Sequence, residues 1–88
     1  MILTIINNMN EDKNFYFENT KGNHSKFWAV TIETDPKSND HYLLIRRWGK
    51  IGENGRVMSE RFYNYYEAES KRTKLIQEKK LKGYSTIL

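Results

Sequence analysis

Residues 46–56 read Arg-Arg-Trp-Gly-Lys-Ile-Gly-Glu-Asn-Gly-Arg, and the rest of the chain is arranged around them. The segment places Trp48 between cations instead of inside an apolar run, and three glycines follow the ring closely. A large aromatic side chain is costly to leave in water, so either a partner or the local fold must cover it. The segment is therefore the candidate functional site, and the other segments are the scaffold that presents it.

The strand that leads into this segment, residues 41–48, contains four successive apolar residues before it becomes cationic. Such a run is typical of a central strand that is covered on both faces. The two-residue period of a strand places Arg46 and Trp48 side by side on one face and Arg47 on the other. The sequence therefore predicts a cation next to the aromatic ring.

The glycines predict a hairpin after this strand. Residues 53–55 supply the left-handed conformations that a tight turn needs, and residues 56–62 return as the partner strand. The three-residue spacing of Gly49, Gly52 and Gly55 could also suggest a phosphate cradle. However, a Walker A loop opens a helix with Gly-Lys-Ser/Thr, and this run lies in a hairpin. Backbone geometry is the better interpretation of the three glycines.

Two more strands are predicted upstream, over residues 13–18 and 26–33, and a surface loop over residues 34–40 follows them. Residues 1–12 begin with a short isoleucine-rich stretch that is either an N-terminal strand or an extension. Alternation in the second strand puts Trp28 in the core, unlike the tryptophan of the hairpin. The aromatic side chains expected in the core are Phe15, Phe17, Phe27, Trp28 and Phe62.

The C-terminal part of the chain predicts a helix from about residue 65 to residue 82. Asn64 is a suitable N-cap and Gly83 a natural stop. Its inner face is expected to contain apolar residues and two cations that must snorkel or find acceptors: Tyr65, Ala68, Leu75 and Ile76, with Arg72 and Lys79.

The outer face of this helix alternates in sign. Pairs at i,i+4 spacing are expected between Glu67 and Lys71, Lys74 and Glu78, and Glu78 and Lys82. If most of the helical charge is balanced in this way, the hairpin is the better candidate for a binding surface. Its cations Arg46, Arg47, Lys50, Arg56 and Arg61 face only Glu53 and Glu60.

With 88 residues, the chain is long enough for one modest core and is expected to form a single domain over residues 1–88, with a core over about 13–84. The predicted elements define an α+β fold in which an antiparallel sheet of four or five strands packs against one C-terminal helix. The absence of cysteine and of a signal or transmembrane pattern predicts a cytoplasmic protein, with association with the nucleoid as one option.

The formal net charge of +4 is unevenly distributed. Residues 1–45 contain four Lys or Arg against six Asp or Glu, whereas residues 46–88 contain eleven against five. The excess of cations in the second half indicates a polyanionic partner, although a lysine-rich helix can also be only a solvated face.

No arrangement of residues suggests catalysis, a metal or a cofactor. His24 and His41 lie in or beside loops without a third ligand or a carboxylate at triad-like spacing. The carboxylates are scattered along the chain. The sequence therefore predicts a non-enzymatic protein with no catalytic, metal-binding or cofactor-binding residues.

The ordered set of motifs resembles the WGR domain, a family named for its Trp-Gly-Arg triplet. The resemblance runs from about Phe15 to Tyr84 and depends on four short segments taken together. These are Ser25-Lys26-Phe27-Trp28, Arg47-Trp48-Gly49-Lys50-Ile51-Gly52, the turn at Gly55, and Leu75-Ile76 with Lys79 and Lys82-Gly83-Tyr84. The family includes domains of DNA-damage-responsive poly(ADP-ribose) polymerases and small stand-alone bacterial proteins.

This resemblance implies a sheet with one helix that contacts the end of a broken DNA strand. The motif tryptophan of the polymerases packs against the terminal sugar and nucleotide, so Trp48 would be the stacking residue. Lys50 stands where the family usually has Arg, which replaces a planar fork with a point charge. Arg56 stands where Gln is expected, and it adds a cation to the hairpin.

Two functions are consistent with the sequence. The first is a nucleic-acid-binding module that prefers DNA, has little sequence preference and is directed to strand ends. Its expected contact residues are Arg46, Arg47, Trp48, Gly49, Lys50 and Arg56. The second is an adaptor that docks on a protein partner. No membrane contact is expected, and the sequence leaves the oligomeric state open.

Overall fold

In a computed structural model of the protein, residues 15–87 are described, and they form a five-stranded antiparallel sheet and one helix. This arrangement confirms the predicted α+β fold. In chain order the elements are β1 (Tyr16–Asn19), β2 (Lys26–Thr34), β3 (Tyr42–Lys50), β4 (Arg56–Phe62), α1 (Tyr65–Leu81) and β5 (Ser85–Thr86).

The strand order across the sheet is β4-β3-β2-β1-β5, with antiparallel pairing throughout. β2 lies in the middle of the sheet, and β3 is also an interior strand, paired on both sides as predicted. The fifth strand comes from Ser85–Thr86, which pair with β1 and were not expected to form a strand. The alternative of an N-terminal strand within residues 1–12 lies outside the described residues.

The core lies between the sheet and α1. It consists of the side chains that alternate onto one face of β1, β2 and β3, of which Phe17, Trp28, Val30 and Leu44 are at most 2% exposed. Each such side chain contributes about 1.5–3 kcal/mol relative to full exposure. On the helix side, Leu75 and Ile76 complete this core, as the helical period predicts.

The opposite face of the sheet is largely open. Leu43 and Ile45 are half-buried there, whereas α1 packs against the core on the other face. The prediction of cover on both faces of β3 is therefore not met within residues 15–87. One side chain of β2 is nevertheless buried on that face. Phe27 is covered there by the stacked ring of Tyr16 and by the guanidinium of Arg47.

The hairpin between β3 and β4 is closed by a direct contact between two glycine backbones. A Cβ atom on Gly49 would lie 2.8 Å from Cα of Gly55, and one on Gly55 would overlap the carbonyl oxygen of Trp48. The left-handed residues of the turn are Gly52 and Gly55, with φ of +93° and +77°, and Asn54 does not adopt this conformation. The interpretation that the glycines serve the backbone geometry of the hairpin is thus confirmed. The prediction that Asn54 also adopts a left-handed conformation is wrong.

The helix begins and ends close to the predicted positions. The side chain of Asn64 accepts a hydrogen bond of 2.8 Å from the backbone N–H of Glu67, and Gly83 has a φ of +106° after the last turn. Both cations of the inner face lie against aromatic rings. Arg72 lies 4.0 Å from the centroid of the Phe15 ring, and the second cation, Lys79, is described with the site below.

We predict that Gly55→Ala destabilises the protein much more than Gly52→Ala. Both replacements place alanine at a positive φ, which costs about 1–2 kcal/mol. Only at Gly55 does the new Cβ also meet the Trp48 carbonyl and the Phe27 ring, where overpacking adds about 1–3 kcal/mol. Urea unfolding followed by far-UV circular dichroism measures both free energies. Equal losses would contradict the inferred backbone contact.

Candidate nucleic-acid interface

Trp48 lies near the end of β3, on the face of the sheet that carries the core. The strand register places it directly opposite Trp28 of β2 on one side and Arg56 of β4 on the other. Its ring packs against the core, but it is only half-buried, whereas Trp28 is 2% exposed. Trp48 is therefore part of the core at one edge and part of the surface at the other.

A first cleft of about 490 Å³ opens on the hairpin side of this ring. Trp48 and Tyr84 supply aromatic surface, and Lys26 and Lys50 supply charge. These two lysines are directly opposite each other on β2 and β3. Like charges in such a pair repel, so an anion between them would relieve an unfavourable interaction. The cleft thus combines a ring with two exposed cations.

A second cleft, of about 200 Å³, opens on the helix side of the same ring. It lies between Trp48 and the C-terminal half of α1, and three cations line it: Arg46, Lys79 and Lys82. Glu78 is the carboxylate in its wall. Because Trp48 lines both clefts, its ring stands between two groups of positive side chains.

The cations predicted around Trp48 are divided between the two faces of the sheet. Arg46 shares the face of Trp48, as predicted, but its side chain is only 15% exposed and donates a hydrogen bond to Glu60. Arg47 lies on the opposite face, 4.9 Å from the Phe27 ring centroid, and donates to the backbone carbonyl of Asn54. The structure does not bring Arg47 together with Trp48.

The remaining hairpin cations differ in their availability. Lys50 and Arg56 are exposed, and neither forms an ion pair within the described part of the chain. Arg61 was expected to face only glutamates, but its Nε lies 3.0 Å from Oδ2 of buried Asp35, although the angle is not that of a hydrogen bond. Gly49 contributes only backbone to the wall of the first cleft.

The prediction that the helical charges balance one another is wrong. None of the three expected i,i+4 pairs lies within 4.0 Å, and the ion pair that α1 does form joins Glu69 to Arg72 at 3.9 Å. Exposed pairs of this type gain little energy in water, so their side chains remain solvated. The lysines at the C-terminal end of α1 are consequently available beside Trp48.

Four residues that line the two clefts were not predicted as site residues from the sequence: Lys26, Lys79, Lys82 and Tyr84. The sequence feature that could have identified Lys79 is its position, as a cation, within the apolar stripe of the helix. Its Nζ atom lies 5.6 Å from the Trp28 ring centroid and 5.5 Å from that of Tyr84. Burial, and then the nearby charge of Lys82, hold the pKa of Lys79 below its ordinary value.

The two histidines were weighed as ligands or catalysts in the sequence, and the structure shows how His41 is held. His41 is hydrogen-bonded to the Ser38 hydroxyl at 2.7 Å and packs edge-on against Tyr63. Within residues 15–87, no three His, Cys, Asp or Glu side chains are grouped as metal ligands would be. No helix in the same range is long and apolar enough to cross a lipid bilayer.

The fold and the site together define a small α+β domain that presents a core-supported aromatic ring between cationic clefts. The family model of the WGR domain matches residues 11–87, nearly the full length, and the chain belongs to the WGR domain family. WGR domains are non-catalytic modules that bind nucleic acid. Neither the search of curated proteins nor the search of solved structures returned a significant match.

We predict that Trp48 supplies most of the tryptophan fluorescence that acrylamide can quench. Trp28 is shielded by the helix and the sheet, whereas the outer edge of Trp48 meets solvent. The emission of Trp28→Phe should therefore stay strongly quenchable, and that of Trp48→Phe should become resistant. Stern–Volmer plots of the two single-tryptophan variants give the comparison. Equal quenching constants would contradict the described burial of the two rings.

Proposed function

We propose that this protein is a non-catalytic DNA-binding module that contacts strand ends with little sequence preference. The observation that carries the proposal is the position of Trp48, half-buried and bordered on both sides by clefts with cationic walls. The whole chain would act as one domain, with its core supporting this ring.

The ring of Trp48 would stack on a sugar or base. Such contacts are worth about 1–3 kcal/mol per base and tolerate any sequence, because every base has a π-face. Bases inside a duplex are already stacked on both faces, whereas a terminal or unpaired nucleotide leaves one face open. A ring fixed at the edge of a rigid core is therefore suited to an end more than to the interior of a duplex.

The cations around the ring would bind the phosphate backbone. Lys50 and Arg56 are exposed and free of carboxylate partners in the described range, so they can approach phosphates without first breaking an ion pair. Phosphate contacts position a protein on DNA and carry no sequence information. Lys50 would bind a phosphate as a point charge, without the bidentate pairing that arginine would make. Gly49 would contribute backbone to the wall of the first cleft.

The two remaining predicted contact residues take different parts in this proposal. Arg46 lies on the same face as Trp48 and would act from the second cleft. Arg47 is held over Phe27 on the other face, and its contribution would come through the hairpin conformation and the general positive field.

An adaptor function remains a second candidate because of the open face of the sheet. Val57 is 64% exposed there, and the half-buried Leu43 and Ile45 lie on the same face. A protein partner would find apolar surface on this side, whereas DNA would find cations on the side of Trp48. The two functions therefore use different surfaces, and variants can separate them.

We predict that Trp48→Ala weakens binding of a fluorescein-labelled 16-base-pair duplex by about tenfold or more, the loss expected for one stacked base. Fluorescence anisotropy in 50 mM salt measures the dissociation constant. Thermal unfolding of the variant verifies that the domain remains folded. Val57→Thr on the open face is the control and should bind as the parent protein does. No detectable binding by the parent protein at low salt would refute the proposal.

We also predict that Lys50→Gln lowers the salt dependence of binding. Removal of one phosphate contact reduces the slope of log K against log salt by about 0.9 for duplex DNA. Lys37→Gln, in the loop at the far end of the sheet, removes the same charge and should leave the slope unchanged.

A duplex whose two ends are closed by hairpin loops should bind more weakly than the open duplex. Equal affinity for both would exclude the preference for ends.

A further inference from the structure

The second cleft contains an arginine with an unused donor. The guanidinium of Arg46 is bound to Glu60 through one terminal nitrogen, but its Nε is buried and has no hydrogen-bond partner. Buried donors are normally satisfied, so an unpaired one requires an explanation. The same side chain lines the second cleft, where a bound acceptor could approach it.

The second cation in the cleft, Lys79, differs from Arg46 in having no carboxylate partner. Its ammonium lies between the rings of Trp28 and Tyr84, and no acidic side chain lies within 4.0 Å of it. An aromatic ring attracts a cation more weakly than an anion does. A lysine in this environment has already lost part of its hydration and gains more from an anion than a fully solvated lysine does.

The charges around Lys79 are mostly positive. Lys82, Arg46 and Lys26 disfavour its charged form, and Glu78 favours it. Burial acts in the same direction as the three cations and holds the pKa of Lys79 below its ordinary value. An anion placed among these groups would reverse that balance.

We propose that Arg46 and Lys79, with Lys82 at the rim, form a phosphate-binding site that receives a phosphodiester of the nucleic-acid backbone. This inference rests on the proposed function and extends it from the hairpin to the helix. Trp48 separates this site from Lys26 and Lys50, so a strand that crosses the ring would meet cations before and after the stacked nucleotide. Glu78 is exposed and can turn its carboxylate into solvent.

The phosphate of this site would satisfy a group that the folded protein leaves without an anionic partner. The Lys79 ammonium would gain an oxygen partner in place of ring faces alone, and the positive charge of Arg46, held in the cleft wall by Glu60, would lie beside the anion. Charge-assisted hydrogen bonds of this kind are the strong ones, and they are strongest where water is partly excluded. The apolar walls from Trp28, Trp48 and Leu75 provide that exclusion.

The test compares Lys79→Met with Lys80→Met in the full-length protein. Methionine keeps the length of the stem and packs well against aromatic rings, so the fold should survive. Lys80 is the neighbouring exposed lysine and serves as the control for charge. We expect Lys79→Met to bind the 16-base-pair duplex several-fold more weakly and with a salt slope reduced by about 0.9, and Lys80→Met to match the parent protein. Lys79→Arg should restore most of the affinity.

A second readout follows the Lys79 amine directly. In proteins with ¹³C- and ¹⁵N-labelled lysine, NMR titration should show that the pKa of Lys79 rises when the duplex is bound. Inorganic phosphate alone, at millimolar concentration, is the probe for a free anion. If phosphate raises the pKa of Lys79 and the bound duplex does not, the site is not a backbone site and the inference is overturned.

The outcomes separate this inference from the proposed function. If the duplex binds in a manner that depends on Trp48, but Lys79→Met behaves like Lys80→Met and the pKa of Lys79 is unchanged in the complex, the second site is refuted and the DNA-binding function stands. If the parent protein binds no duplex at low salt, both are refuted.

Discussion

The contact between the backbones of Gly49 and Gly55 is the constraint on which the site depends. Neither residue has a Cβ atom, so β3 and the start of β4 approach each other directly above the Phe27 ring. This approach closes the hairpin and fixes its register. The register in turn puts Trp48 opposite Arg56. A side chain at either glycine would separate the strands and move the ring.

The position of Trp48 is compatible with both interpretations of this residue. Its ring packs against the core and is only half-buried, so the fold leaves part of the ring open for the nucleotide contact that we propose. The covered edge immobilises the side chain before any ligand arrives, so little conformational entropy remains to be lost on binding. Among the cations beside it, Arg46 is bound to Glu60 and Lys79 lies against two aromatic rings, whereas Lys50 and Arg56 are exposed.

Much of the fold could be predicted from the sequence because periodicity and turn chemistry are local signals. The caps at Asn64 and Gly83 defined the helix to within one residue at each end. The order of the strands was harder to predict from the sequence, because the pairing of Ser85–Thr86 with β1 depends on how α1 crosses the sheet. Two residues are too few to show an alternating pattern.

The candidate site was only partly predictable, for a similar reason. Strand alternation correctly separated Arg47 from Arg46 and Trp48, but it could not show that Arg47 is held over Phe27. The helical lysines were set aside because their spacing suits ion pairs. In water such pairs are too weak to form reliably, and the actual neighbours of Lys79 are aromatic rings from β2 and from the end of the chain. The surroundings of Lys79 therefore depend on contacts between segments that are distant in sequence, which local patterns do not show.

The central claim is that the exposed edge of Trp48 meets a nucleotide at a strand end. Intermolecular nuclear Overhauser effects in a complex with a short open duplex test it most directly. The account predicts cross-peaks between the indole protons of Trp48 and the sugar protons of a terminal nucleotide, with none to Trp28. A complex in which Trp48 shows no such cross-peaks, and in which contacts appear instead at Val57 on the open face, would contradict it.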